Sequence, residues 1–226
     1  MKDRTPDGRT LVVDGNSLPF LNSWAYVFWM HGPDGAFRAQ VVPAGSAEIL
    51  GKQLGDWPRY KVREIAHNGG RILSLEDASI GGTTFVWVGP QHEIATYIGG
   101  TNVPLEIFMD WLAQFDIQDS PTGLTMLPRP GSRVRYGRML AFNTIDQVCS
   151  VQIKPKGDVT DALPRSTGKR VRGGSMWRSD EYDEQGNLKV RSAIVVNDTT
   201  ATTIVAAKPD DPAFVGVVES VSCGLS

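Results

Sequence analysis

Strand-like runs joined by turn residues recur along almost the whole chain, and only one stretch has the pattern of a firm helix. Three successive hairpins precede that helix, each with glycine, proline or asparagine at its turn. The 24 glycines and 14 prolines among 226 residues are spread between apolar runs, as in a protein of many short strands. A parallel sheet is excluded in practice, because the helices that connect parallel strands are missing. The sequence therefore predicts a mainly β (β-rich α+β) fold, a curved antiparallel sheet or half-barrel of about a dozen strands.

The firm helix is predicted over about residues 103–115, in the concavity of the sheet. Its main apolar face is formed by Leu105, Phe108, Met109 and Leu112, with Ile107 and Trp111 beside them. Pro104 suits the first turn, and Asn102 is the predicted N-cap. The polar side of the helix is a narrow stripe formed by Glu106, Asp110 and Gln114. The rest of the helix surface is apolar, so it must be enclosed by the sheet or by something that the chain binds.

The order of the segments predicts how the chain is organised. Residues 1–23 form a polar lead-in, and residues 24–118 contain the hairpins and the helix. Residues 119–133 hold several prolines and glycines and are predicted to be a connector. Residues 134–226 form a second β-rich half, which can also continue the first half as one domain. A short additional helix is predicted at residues 46–54.

Composition and charge exclude several classes of partner. The net charge of -2 gives no reason to expect nucleic acid. No apolar run approaches the roughly 20 residues that span a bilayer, so no transmembrane segment is predicted. The first residues also lack the apolar region of a signal peptide. The expected location is exported or cell-envelope-associated if the sequence is a piece of a longer chain, and cytoplasmic otherwise.

No catalytic, metal-binding or cofactor motif is found in the sequence. His31, His67 and His92 each lie in a turn, and no two of them have the spacing of metal ligands. The string from Gly173 to Trp177 lacks the last glycine of a nucleophile elbow. We therefore predict no catalytic residue, no metal and no cofactor. An enzyme stays an alternative if the fold collects histidines and carboxylates in a β-barrel-like pocket.

The two cysteines, Cys149 and Cys223, both lie in runs that alternate like strands. A disulfide between them would close a loop of about 75 residues and stabilise the fold. Two buried free thiols are the alternative. The sequence leaves both states open.

Two segments resemble the LolA-like superfamily. The segment from Phe85 to Leu112 has a Trp-bearing strand, a hairpin return and an amphipathic helix. The segment from Trp177 to Leu188 is similar to a strand-turn-strand that carries an aromatic residue before an Asp/Gly turn. The resemblance implies a strongly curved antiparallel sheet with a helix in its hollow. It also implies a lipoprotein carrier, a lipid-binding lipoprotein or a sensor domain that regulates anti-sigma factors.

The excess of large apolar side chains near the helix predicts a function. It favours a non-enzymatic binding protein for an apolar small molecule, a lipid or a protein partner, such as an extracytoplasmic sensor or carrier. The candidate binding residues are Trp29, Trp87, Phe108, Met109 and Trp111. The first alternative is a structural β-rich subunit that associates through its strand edges. The second is the enzyme with a β-barrel-like pocket.

Overall fold

The structure is a computed structural model, which describes residues 1–15, 20–33, 35–46, 60–67, 69–79, 81–159, 163 and 165–226. The described residues form a mainly β fold with a large antiparallel sheet of twelve strands and two helices. Among the described strands, this sheet is not closed into a barrel. The predicted mainly β, antiparallel class is therefore confirmed. Apart from Ser46, the helix predicted at residues 46–54 lies outside the described residues.

The described strands are from 3 to 13 residues long. Those before the first helix are β1 (Lys2–Arg4), β2 (Thr10–Asp14), β3 (Phe20–Gly32), β4 (Gly35–Pro43), β5 (Tyr60–His67), β6 (Gly70–Asp77), β7 (Gly82–Val88) and β8 (His92–Gly99). Those after it are β9 (Phe115–Ser120), β10 (Gly123–Pro128), β11 (Arg135–Ile145), β12 (Cys149–Pro155), β13 (Lys169–Val171), β14 (Gly174–Tyr182), β15 (Leu188–Val196), β16 (Thr200–Ala206) and β17 (Ser222–Leu225). The helices are α1 (Leu105–Leu112) and α2 (Ala213–Ser220).

The chain divides into two compact units. The first unit contains residues 1–3, 9–24 and 139–226, and the second contains residues 4–8 and 25–138. The predicted boundaries stay a prediction.

The second unit is built on strands in the order β3-β4-β8-β7-β6-β5. The three predicted hairpins are confirmed as the antiparallel pairs β3–β4, β5–β6 and β7–β8. Register pairs Phe85 with Thr96 and Trp87 with Ile94, so these four side chains share one face of the sheet. We call it the α1 face, because Phe85 contacts the helix α1 there. Both Phe85 and Ile94 are fully buried on it.

The first unit contains the strand order β13-β14-β15-β16-β12-β11 and the antiparallel pair β17–β2. Its helix α2 corrects the prediction, which had a strand over this part of the chain. Valine is abundant there and favours strands, but Phe214, Val217 and Val218 are spaced by three and four residues and are buried together on one helical face. The described residues thus contain a helix, α2, at a place where the sequence predicted none.

Two further segments differ from their predicted descriptions. The polar lead-in, residues 1–23, contains the strands β1 and β2. The connector, residues 119–133, contains the turn and return strand of the hairpin β9–β10, whose register pairs Ile117 with Met126. Gly123 in that turn has a φ of 120°, which glycine adopts readily. Glycines and prolines therefore indicated a hairpin turn here instead of a connector.

Candidate ligand-binding groove beside helix α1

The helix α1 is shorter than predicted and begins in a different way. It covers Leu105–Leu112 within the predicted 103–115, and Pro104 is its N-cap, without a side-chain capping hydrogen bond. Asn102, the predicted cap, has a φ of 56° and lies in a left-handed turn before the helix. Its backbone N–H donates to the buried carboxylate of Glu76 at 3.0 Å, which ties the helix entry to β6.

One face of α1 forms a continuous aromatic stack with the sheet. The ring centroids of Phe85 and Phe108 lie 5.3 Å apart at an interplanar angle of 15°. Those of Phe108 and Trp111 lie 5.6 Å apart at 17°. Phe115, just after the helix, packs at 60° against Trp111 with centroids 5.3 Å apart. Offset stacks of this kind add about 0.5–1.5 kcal/mol per pair beyond the apolar area that they bury.

A groove runs beside this stack on the α1 face. It encloses about 320 Å³ and is lined by Phe37, Thr96, Ile98, Ile107, Phe108, Asp110, Trp111 and Gln114. Thr96 and Ile98 follow the same alternation on β8, so they lie on the face that carries Phe85. Ile107 is 47% exposed although it is apolar. The lining is thus mainly apolar, with a few polar groups from Thr96, Asp110 and Gln114.

The predicted binding residues do not all meet in this groove. Phe108 and Trp111 line it together, whereas Met109 is half-buried and is not among its lining residues. Trp87 lines a different hollow near the end of α1. Trp29 contacts the guanidinium of Arg38, with 5.7 Å from Cζ to the ring centroid. Sequence reasoning did not select Phe37 and Ile98, because they reach the helix only through strand register.

The indole of Trp111 contributes apolar surface to the groove. Its Nε1–H is buried and has no acceptor among the described residues. A buried donor without a partner costs about 1–3 kcal/mol. The ring therefore contributes shape and apolar area to the groove, and its Nε1–H contributes no hydrogen bond among the described residues.

A second hollow in this unit collects charged side chains. It encloses about 330 Å³ and is lined by His67, Trp87, Leu112, Ala113, Phe115, Asp116, Ile117 and Arg129. The guanidinium Nε of Arg129 donates to the carbonyl of Phe115 at 3.0 Å, so this cation is bound to the first residue of β9. None of the described lining residues has a hydroxyl or thiol that could act as a nucleophile. The hollow does bring His67 and the carboxylate of Asp116 together among its lining residues, which is the combination that the enzyme alternative requires.

The imidazole of His92 lies against the carboxylate of Asp119. Its Nδ1 is 2.7 Å from Oδ1 of Asp119, and the two side chains are 2% and 5% exposed. Its Nε2 is buried and has no partner among the described residues. A general base must be within hydrogen-bond reach of the proton that it takes from a substrate. Because neither ring nitrogen is accessible, this pair fits a structural link between β8 and β9.

Cys149 and Cys223 are free and buried, and the disulfide that the sequence allows is not formed. Cys149 lies opposite Ile145 and Ala206, and Cys223 lies opposite Val13, so each thiol packs in a different strand ladder. Burial raises the pKa of both thiols, to about 11. Neither cysteine therefore has the properties of a reactive nucleophile at neutral pH.

Comparison with protein-family models and with curated protein sequences finds no match. In the described part of the chain, no three histidine, cysteine or acidic side chains are grouped as they would be around a metal ion. None of the described helices is both long enough and apolar enough to span a bilayer.

Proposed function

We propose that this chain is a non-enzymatic binding protein whose groove beside α1 holds an apolar small molecule. The observation that carries the proposal is the position of Ile107. The side chain of Ile107 is about half exposed, whereas the next residue on the same helix, Phe108, is fully buried. It forms the open wall of a groove whose floor is the stack of Phe108 and Trp111. A ligand in the groove would remove this apolar wall from water.

The size and chemistry of the groove support a small ligand. Its volume of about 320 Å³ is at the lower end of the range of small-molecule sites, roughly 300–1,000 Å³. Such sites are mostly apolar and contain a few polar groups that orient the ligand. Here Asp110 on α1 and Gln114, two residues after the end of the helix, supply these groups. An uncharged ligand, such as an acyl chain or a fused ring with one polar end, suits this lining.

The resemblance to the LolA-like superfamily agrees with the proposal. It implies a helix that lies on a curved antiparallel sheet, and proteins that carry or sense lipids. A role as a carrier or sensor is therefore part of the proposed function.

The alternative of a structural subunit depends on an exposed strand edge. β5 ends the described strand order of the second unit and presents its outer edge. If two copies of the protein pair through this edge about a two-fold axis, the two β5 strands run antiparallel, and each side chain points to the same face of the joined sheet in both copies. In every register that satisfies this condition, one residue of β5 lies directly opposite the same residue of the second copy. The two central registers place Arg63 opposite Arg63 or Glu64 opposite Glu64. Like charges directly opposite are destabilising, so this edge disfavours self-association.

Binding of N-phenyl-1-naphthylamine, an uncharged apolar fluorophore, tests the proposal. Ile107→Asp places a carboxylate in the groove wall and is expected to weaken binding about tenfold or more. Tyr182→Asp is the matched control, because Tyr182 is 61% exposed and belongs to the first unit. Equal binding by the wild type and the Ile107→Asp variant, or no binding by the wild type after denaturing extraction of lipids and refolding, would overturn the proposal.

A further inference from the structure

The face of the second-unit sheet opposite the α1 face carries a row of side chains that run across four neighbouring strands. Register pairs Trp29 on β3 with Arg38 on β4. It also pairs Tyr97 on β8 with Thr84 on β7. On β4 and β8, which are antiparallel, Ala39 pairs with Thr96. The preceding residue on β4, Arg38, is therefore beside the following residue on β8, Tyr97. We call Trp29, Arg38, Tyr97 and Thr84 the cross-strand row.

Arg38 supplies the positive charge of this row. Its guanidinium lies 5.7 Å from the ring centroid of Trp29, a cation–π contact that orients the group. Among the described residues, no carboxylate forms an ion pair with Arg38 and no acceptor binds its side chain. An arginine of this kind can offer a planar fork of N–H groups to an anion, and carboxylates and phosphates match that fork.

Tyr97 supplies an accessible aromatic ring. It is 52% exposed, although Phe85 and Ile94 on the α1 face are fully buried. Its ring lies over Gly82, where an added Cβ atom would overlap with the ring carbons of Tyr97. The glycine at position 82 therefore provides the space in which the ring rests. The outer side of the ring is left open to a planar partner.

A hollow lies within the row. It encloses about 350 Å³ and is lined by Arg38, Ala39, Gln40, Thr84, Ala95, Thr96 and Tyr97. Ala95 pairs with Gln40 on one side and Val86 on the other, and its small side chain forms the floor. In the part of the chain that the structure describes, the side chains of Gln40, Thr84 and Tyr97 make no hydrogen bond.

We propose that this hollow binds a small ring-bearing molecule with one phosphate or carboxylate group. The anion would bind to the guanidinium of Arg38, and the ring would stack on Tyr97. Gln40 and Thr84 would bind the polar groups of the ring. The ring can be a nucleobase or a sugar, and both kinds of ligand share this chemistry. The inference is independent of the apolar groove, which lies on the other face of the sheet.

Isothermal titration calorimetry of the full chain with adenosine 5′-monophosphate and glucose 6-phosphate tests the proposal, with adenosine and glucose as the uncharged counterparts. At least one of the two phosphates is expected to bind in the micromolar to millimolar range, and its uncharged counterpart at least about tenfold more weakly. The preferred phosphate identifies the ring.

Three variants separate the contributions. Arg38→Gln is expected to weaken phosphate binding about tenfold or more and to leave the melting temperature unchanged. Gly82→Ala is expected to displace the Tyr97 ring and weaken binding without removing a ligand-binding group. Arg133→Gln, which changes an exposed arginine outside the row, is the control and is expected to bind as the wild type does.

Two results would overturn the proposal: no binding of either phosphate at millimolar concentration, or equal binding by the wild type and the Arg38→Gln variant. N-phenyl-1-naphthylamine binding is expected to be unchanged in Arg38→Gln. Failure at this hollow is thus distinguishable from failure of the apolar groove.

Discussion

Asp119 binds His92 through both the side chain and the backbone. Its Oδ1 lies 2.7 Å from Nδ1 of His92, and its Oδ2 accepts the backbone N–H groups of His92 at 3.2 Å and of Gln91 at 2.8 Å. One carboxylate on β9 thus holds the turn that joins β7 to β8. Gly89 leaves room for this carboxylate, because a Cβ atom at position 89 would come within 2.6 Å of Oδ2 of Asp119.

Replacing this carboxylate is expected to destabilise the fold. In Asp119→Asn the amide NH₂ group can face the two backbone N–H groups or the imidazole, and each orientation leaves donors without an acceptor. A buried donor that is left without an acceptor costs about 1–3 kcal/mol of unfolding free energy. Urea unfolding measures the change. The control Asp116→Asn, at an exposed position on the same strand, is expected to stay within about 0.5 kcal/mol of the wild type, and equal losses in both variants would contradict the assigned role.

The local part of this architecture was predictable, and the His92–Asp119 contact was not. Turn residues between alternating runs indicate hairpins because both strands and the turn are adjacent in sequence. His92 and Asp119 are 27 residues apart and meet only because β9 packs near the start of β8. No local pattern carries that information. The helix α2 is a different case, because the helical spacing of Phe214, Val217 and Val218 is local, but the valine content of the segment favoured a strand.

Only the helix residues of the candidate groove could be predicted, because the strand residues join them through contacts that are distant in sequence. Phe108 and Trp111 follow from helical periodicity, which is a local property. Phe37 belongs to a strand about seventy residues earlier and joins them only through the order of β4 and β8. Trp29 and Trp87 were grouped as large aromatics, but strand register places them on opposite faces of the sheet.

The stack beneath the groove predicts unequal effects for adjacent helix residues. Phe108→Ala removes a fully buried ring that stacks on both Phe85 and Trp111, and the expected loss of unfolding free energy is about 3–5 kcal/mol. Ile107→Ala shortens a half-exposed side chain, so its expected loss is below about 1.5 kcal/mol. Chemical denaturation measures both. A loss for Ile107→Ala as large as that for Phe108→Ala would show that the groove wall is part of the core.

Asn197 is predicted to be important for stability in the first unit. Its Oδ1 accepts the backbone N–H groups of Thr199 at 3.0 Å and Thr200 at 2.9 Å, and its Nδ2 donates to the carbonyl of Cys223 at 2.6 Å. Asn197→Ala removes all three bonds, and we expect it to lower the unfolding free energy by about 2 kcal/mol. Asp198→Ala, an exposed change in the same turn, serves as the control. Thermal unfolding that finds equal melting temperatures for these two variants would contradict the prediction.

The two thiols predict how stability changes at alkaline pH. Burial, together with the negative charge of Asp211, raises the pKa of Cys149 to about 11. Burial also raises the pKa of Cys223 to about 11, although a hydrogen bond with Thr202 opposes the change. In the unfolded chain a cysteine has a pKa of about 8.5, so between that pH and about 11 the unfolded state binds fewer protons than the folded state. The stabilisation is complete below about pH 8.5 and is lost as the pH rises towards 11.

A double variant isolates this effect from other alkaline transitions. Burial also raises the pKa of Tyr136, with a further contribution from the charge of Asp7, but this phenol is common to both proteins in the comparison. Between pH 8 and pH 10 the unfolding free energy of the wild type is expected to fall by about 3 kcal/mol more than that of Cys149→Ala/Cys223→Ala, because two thiols contribute. Urea unfolding at the two pH values measures the difference. Parallel pH profiles for the two proteins would show that the thiols ionise in the folded state as readily as in the unfolded chain.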